Sequence, residues 1–307
     1  MQVIETQSLT KRYGKARGIE EVSLEVRKGE IFGFIGPNGA GKSTTIRTLL
    51  NFLWPTEGRA FIFGLDCAKE SARIKRRVGY LPSEVRYYDD MRVGELLAYS
   101  ASFYGDGRGG LHGRGASGSR EARITELAAA LELDLSKRFA DLSFGNKKKA
   151  GIVQALLHEP ELLILDEPTG GLDPLMQNRF FAMLEREKER GTTIFFSSHV
   201  LSEVERLCDR VAIIKEGRIL KVEGMAALKA NRYKKVRASL RKGGDDAIMG
   251  LRGATCIARD GRSFEFLYSG GIDALVAALA RLELENLSIE EPSLEEVFMR
   301  YYEGDRK

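Results

Sequence analysis

Two short runs, residues 31–35 and 161–165, are apolar at almost every position, and a third over 192–197 is nearly so. Runs of this length without polar alternation predict strands buried on both faces, as in a parallel sheet covered by helices. Earlier, Val22-Ser23-Leu24-Glu25-Val26 alternates with period two and predicts a strand with one wet face. Helical spacing appears in between. Ile46, Leu49, Leu50 and Leu53 predict a helix over 42–52, residues 93–104 form another, and Ile124, Leu127, Ala128 and Leu131 a third over 120–133. Residues 174–190 read as a helix opened by Pro174 and stopped by Gly191. Strands alternating with helices indicate an α/β domain with a mainly parallel sheet.

Two stretches break this pattern. Residues 105–118 hold seven glycines and almost no apolar side chains, a composition that resists fixed structure and predicts a surface loop. Past Gly224 the chain carries shorter strand-like pieces and one helical stretch near 272–284. A boundary is therefore expected near 225, dividing the chain into a domain over 1–224 and a smaller one over 225–307.

The 307 residues are 43% hydrophobic and 30% charged, enough apolar material for a full core. The formal charge of +4 is small, and the basic clusters (73–77, 147–149, 232–242) are balanced by nearby acids. They read as solvated surface, and no nucleic-acid partner is expected. Three widely spaced cysteines point to a reducing compartment rather than a disulfide framework. The first residues lack the layout of a signal peptide, and no apolar run approaches the ~18 residues of a membrane span.

One motif narrows the chemistry. Gly36-Pro37-Asn38-Gly39-Ala40-Gly41-Lys42-Ser43-Thr44 fits the phosphate-binding pattern G-x-x-x-x-G-K-[ST] at every fixed position. Gly36, Gly39 and Gly41 let the backbone turn so that successive N–H groups face phosphate oxygens. Lys42 is placed to reach the β- and γ-phosphates and Ser43 to ligate Mg²⁺. A predicted strand before the loop and a helix after it put the anion at a helix N-terminus. Leu162-Leu163-Ile164-Leu165 then delivers Asp166 and Glu167 at the carboxyl end of a buried strand, where α/β sheets bind ligands. Asp166 is the candidate to hold Mg²⁺ through water, and Glu167 to orient or deprotonate the attacking water.

Taken together, these motifs resemble the nucleotide-binding subunit of an ATP-binding cassette (ABC) transporter, over about residues 1–224. Leu142-Ser143-Phe144-Gly145-Asn146 is similar to the family signature Leu-Ser-Gly-Gly-Gln, with Phe144 and Asn146 as departures. Gly171-Leu172-Asp173-Pro174 resembles the D-loop, Ser197-Ser198-His199 the switch segment, and Lys11-Arg12-Tyr13-Gly14 the A-loop. The resemblance implies a P-loop ATPase fold with antiparallel N-terminal strands and a helical subdomain, followed by a small C-terminal α+β domain. It implies ATP and Mg²⁺ as cofactors, Tyr13 stacking on adenine, and nucleotide contacts from Asn38, Thr44 and Asp173. Ser143 and Gly145 would meet the γ-phosphate bound by a second copy, and His199 would contact the γ-phosphate. At the Q-loop the family glutamine is replaced by Ser83, too short for its role on Mg²⁺. Glu84 beside it is the side chain that could substitute.

Glu291-Pro292-Ser293-Leu294-Glu295-Glu296-Val297-Phe298 is similar to the end of ATPase subunits from drug-exporting systems, and also reads as an amphipathic helix started by Pro292 and Ser293. The resemblance thus implies an exporter ATPase working as a head-to-tail dimer on separate transmembrane permease chains, at the cytoplasmic face of the membrane. The alternatives are a soluble ABC ATPase acting on ribosomes or DNA, and a P-loop small-molecule kinase. The first usually carries a second cassette or a coiled-coil insertion, and the second is not expected to carry the segments at Ser143, Asp173 and His199 together.

Overall fold

The computed structural model describes residues 1–14, 16–104, 120–229, 234–241 and 248–292. The glycine-dense loop over 105–118 lies outside them, as does the terminal helix expected to start at Pro292 and Ser293, apart from Pro292 itself. The chain divides into two compact units, Met1–Gly224 and Met225–Lys307.

The first unit opens with β1 (Gln2–Tyr13) and β2 (Ala16–Arg27), an antiparallel hairpin, followed by β3 (Ile31–Ile35) and α1 (Lys42–Leu49). Next come β4 (Glu57–Ile62), β5 (Leu65–Asp66), α2 (Ser71–Lys75) and β6 (Val78–Leu81). Three helices then pack on one another: α3 (Val93–Ser102), α4 (Arg120–Ala130) and α5 (Phe144–Leu156). The unit ends with β7 (Leu162–Asp166), α6 (Pro174–Glu189), β8 (Thr193–Ser198), α7 (Leu201–Leu207), β9 (Arg210–Lys215) and β10 (Arg218–Gly224).

Two sheets result. A four-stranded antiparallel sheet has the order β2-β1-β4-β5, and a six-stranded sheet the order β10-β9-β3-β8-β7-β6. In the second, β9, β3, β8, β7 and β6 are parallel, and β10 joins as an antiparallel edge. Every residue of β3, β7 and β8 is buried, which is why these segments read as continuous apolar runs. Phe195 stacks on Phe32 at 5.9 Å and tilts against Phe34 at 5.3 Å, so β3 and β8 share one aromatic layer. The α/β class, the mainly parallel sheet and the antiparallel N-terminal strands are as the sequence leads one to expect.

The second unit holds α8 (Met225–Lys229), β11 (Lys234–Leu240), β12 (Ala254–Asp260), β13 (Ser263–Tyr268), α9 (Ile272–Leu279) and β14 (Leu284–Glu290). Its strands form an antiparallel sheet of order β12-β13-β11-β14 around Val236, Phe264, Phe266, Leu275 and Leu279. Among the described residues, no helix is long and apolar enough to cross a membrane.

Helix ends depart from the periodic pattern where the chain turns. The helix expected over 272–284 stops at Leu279, because Leu284 pairs with Leu240 as the start of β14. The helix expected over 42–52 stops at Leu49, and Asn51 takes a left-handed backbone (φ 55°). The helix expected over 120–133 stops at Ala130 and turns at Glu132 (φ 53°), yet Leu131 and Leu133 still reach the core. In each case apolar side chains beyond the helix end serve the core from a turn or strand, so burial continues the pattern after the backbone has left it.

Candidate nucleotide site

The loop after β3 reverses tightly enough that glycine is required at two points. A Cβ at Gly36 would lie 2.3 Å from the Ile214 carbonyl oxygen. Gly41 has φ 108° and caps α1, where a Cβ would meet the Ile19 side chain at 2.7 Å. The β1–β2 hairpin is thereby docked against the loop, and Glu20 N–H donates to the Gly217 carbonyl at 2.8 Å. Lys42, 4% exposed, folds over the loop and donates to the carbonyls of Gly36 (2.7 Å) and Pro37 (3.2 Å). Its ammonium also lies 3.2 Å from Glu167 Oε1. Ser43 and Thr44 sit half-buried in the first turn of α1.

Parallel pairing places Asp166 beside Ser197 across β7 and β8. Asp166 is fully buried, and its Oδ1 accepts a hydrogen bond from Ser197 Oγ at 2.8 Å. Its Oδ2 has no hydrogen-bond partner among the described residues. A buried carboxylate oxygen left without a donor is costly, and an oxygen-seeking cation would satisfy it. Among the described residues no group of three or more His, Cys, Asp or Glu gathers to hold a metal by itself. Mg²⁺ takes one or two protein oxygens and completes its shell with phosphates and water, so the unpaired Asp166 oxygen fits it as a ligand.

Glu167 is held in a left-handed backbone, φ 47°, a conformation costing about 1–3 kcal/mol in a residue with a side chain. Its N–H is shared between Ser197 O and Ser197 Oγ, each at 3.2 Å. Its Oε1 meets Lys42 Nζ at 3.2 Å and His199 Nδ1 at 3.4 Å. Three elements thus converge on one carboxylate oxygen: the glycine loop, the end of β7 and the end of β8. His199 is half-exposed, and the turn that carries it is braced by Ser198 Oγ donating to Glu203 Oε2 at 2.6 Å. A carboxylate, an ammonium and an imidazole at this spacing can manage protons and negative charge on a bound phosphate.

Ser143 caps α5 by accepting the Asn146 N–H, and Asp173 caps α6 by accepting the Met176 N–H. Both are exposed. The two caps are neighbours: a Cβ at Gly145 would lie 2.5 Å from the Gly171 carbonyl, and a Cβ at Gly171 would strike the Phe144 ring at 2.3 Å. Phe144, the bulky departure in the signature, is accommodated because residue 171 is glycine. Tyr13 lies on the exposed end of the hairpin, 41% accessible, with Lys11 Nζ 5.6 Å from its ring. Glu84 turns outward and pairs with Arg86 at 2.7 Å, so the structure does not bring it to Asp166.

Lys148 is the residue that sequence reasoning misreads. The basic cluster 147–149 reads as solvated surface, yet Lys148 is 1% exposed. Its ammonium donates to the carbonyls of Pro82 (3.2 Å), Ser83 (2.6 Å) and Glu167 (3.2 Å). Burial pulls its pKa down to about 8, against the neighbouring Asp166 and Glu167 carboxylates, which push it up. Helical geometry holds a signal, since the middle of three consecutive lysines must face a different side from its neighbours. Ser197 also escapes a sequence reading as a partner for Asp166, because its role depends on which strands are adjacent.

Comparison with known proteins agrees with this geometry. Residues 19–170 match the family model described as ABC transporter. The chain is 41% identical over 219 residues to the bacitracin transport ATP-binding protein BcrA of Bacillus licheniformis, covering 71% of this chain and 68% of that protein. It is 33% identical over 313 residues to an ABC transporter ATP-binding protein of Synechocystis sp., covering 97% of this chain and 84% of that one. Among solved structures it superposes on a dimeric bacterial ABC transporter cassette with a TM-score of 0.64 and 25% identity, covering 72% of this chain and 98% of that one.

Proposed function

This chain belongs to the ABC transporter family as an ATP-hydrolysing, ATP-binding subunit, and we propose that it powers export through closure of a head-to-tail dimer. In this reading residues 1–224 form the catalytic domain and residues 225–307 an accessory domain. Gly36, Asn38, Gly39, Gly41, Lys42 and Thr44 cradle the phosphates of ATP, and Tyr13 stacks on the base. Mg²⁺, held by Ser43 and by Asp166 directly or through water, would offset the charge of the phosphates. Glu167 orients or deprotonates the attacking water, and His199 contacts the γ-phosphate.

A second copy brings Ser143, Gly145 and Asp173 to the open side of the site. Two copies related in this way use one surface for both sites. ATP favours the closed pair because it touches more protein there, and hydrolysis removes that preference. Permease chains supply the membrane path and keep this subunit at the cytoplasmic face. The observation that carries the reading is the convergence of Lys42 and His199 on Glu167 Oε1. The exposed caps at Ser143 and Asp173 support the dimer, as does the likeness to a dimeric cassette. Export draws support from the C-terminal resemblance to drug-exporting subunits and from the likeness to a bacitracin transport protein.

Glu167→Gln tests it. Turnover of Mg-ATP should fall about 100-fold or more, while ATP still binds and shifts the variant to a dimer on size-exclusion chromatography. Hydrolysis at the wild-type rate would show that Glu167 does not act on the attacking water.

A further inference from the structure

The middle lysine of the 147–149 cluster connects three parts of the molecule that are far apart in sequence. Lys148 belongs to α5, the helix capped by Ser143. Its ammonium has three N–H donors, and three backbone carbonyls take them: Pro82 and Ser83 after β6, and Glu167 after β7. Burying an ammonium demands such complete pairing. A hydrophobic side chain would pack in the same place without that demand, and the buried residues that follow Lys148 on its face of α5 are Gly151, Ile152 and Ala155.

What the lysine holds makes its placement functional. The Glu167 carbonyl belongs to the residue with strained, left-handed backbone. Its N–H is fixed from β8 by Ser197, and its C=O is fixed from α5 by Lys148. With both sides of the residue pinned, the direction in which the Glu167 side chain leaves the backbone is set, and that direction delivers Oε1 to Lys42 and His199. The other two carbonyls lie in the loop where Ser83 stands in place of the family's glutamine. Gly151, one turn along α5, lets the helix approach this loop closely, since a Cβ there would lie 2.7 Å from Leu81 and Val85.

We propose that Lys148 is a positioning residue for ATP hydrolysis, tying the Ser143 helix and the 82–83 loop to the backbone of Glu167 so that its carboxylate is correctly aimed. The proposal rests on Glu167 acting on the attacking water. It assigns the lysine no contact with ATP.

The test uses the full chain with Mg-ATP. Lys148→Met keeps an unbranched side chain, one heavy atom shorter, and removes every donor. It should lower kcat about 10- to 100-fold, the scale of a small misplacement at the reacting centre, while KM and the equilibrium affinity for ATP stay within about twofold. Lys148→Gln, which retains an amide donor, should fall between Met and wild type. A merely structural lysine would instead lower ATP affinity and thermal stability together with kcat, or leave all three unchanged; either pattern overturns the proposal. If the Met variant does not fold, the Gln variant decides: a kcat within twofold of wild type refutes the idea. Glu167→Gln is run in parallel to separate the two failures. Loss of turnover there with normal kcat in the Lys148 variants defeats the positioning role alone, whereas normal turnover in Glu167→Gln defeats the reading beneath it.

Discussion

Ser197→Ala probes the centre of the site without touching a residue assigned to ATP. The hydroxyl donates to Asp166 Oδ1 at 2.8 Å, and both residues are fully buried. Since Oδ2 has no partner, this is the carboxylate's sole hydrogen bond among the described residues. Hydrogen bonds to charged groups contribute about 1.5–3 kcal/mol, against about 1 kcal/mol for neutral pairs. The Glu167 N–H is not orphaned by the change, because it still reaches the Ser197 carbonyl at 3.2 Å. The expected destabilisation is therefore about 1.5–3 kcal/mol. For a domain of this size each kcal/mol moves Tm by about 2–4 °C, so Tm should fall by roughly 3–12 °C in calorimetry without nucleotide or Mg²⁺.

A double-mutant cycle with Asp166→Asn separates the charged interaction from general packing. In the Asn background the same serine substitution should cost only about 1 kcal/mol. Equal costs in both backgrounds, or a Tm within about 1 °C of wild type, would refute the argument that Ser197 supports a charged Asp166.

Two further outcomes follow from features away from the reacting groups. His158 stacks on Tyr104 at 3.7 Å, donates Nε2–H to the Val78 carbonyl at 3.2 Å, and finds no partner for Nδ1 among the described residues. Burial lowers its pKa from 6.5 to about 4, with the Val78 bond raising it and Arg120 lowering it further. The unfolded chain then binds a proton that the folded chain refuses, so this contribution is present above pH 6.5 and is lost as pH falls toward 4. It makes the protein about 2 kcal/mol less stable at pH 5 than at pH 7, and His158→Gln should remove that part of the slope in urea titrations. Gly171→Ala meets both a φ of 81° and the Phe144 ring. It should cost about 1–2 kcal/mol. Adding Phe144→Ala should relieve the steric part and leave the backbone part, and full recovery in the double variant would show that φ at 171 carries no strain.

Local patterns were legible because their physics is local. A glycine loop followed by Lys-Ser-Thr, four aliphatic residues running into two acids, and a proline opening a helix each confine their consequences to a few neighbouring residues. The α/β class, the glycine loop between a strand and a helix, and the position of Asp166 and Glu167 at a strand end could therefore be read directly. Helix ends were less legible: Leu53, Leu133 and Leu284 continue a helical spacing although the backbone turns before them. Burial rewards an apolar residue whether a helix, a turn or a strand delivers it.

Tertiary structure decided what the strand order brings together. Seating β8 between β3 and β7 places Ser197 against Asp166, and His199 and Lys42 against Glu167. Packing α5 against β6 buries Lys148, which the composition of its neighbours disguises as surface charge. The Phe144–Gly171 contact likewise joins the start of α5 to the loop before α6. Adjacency of this kind depends on non-local pairing among elements of similar apolar character. No single segment encodes it, so the residues capable of chemistry could be named from the sequence, while the groups that hold them became visible only when the chain was folded.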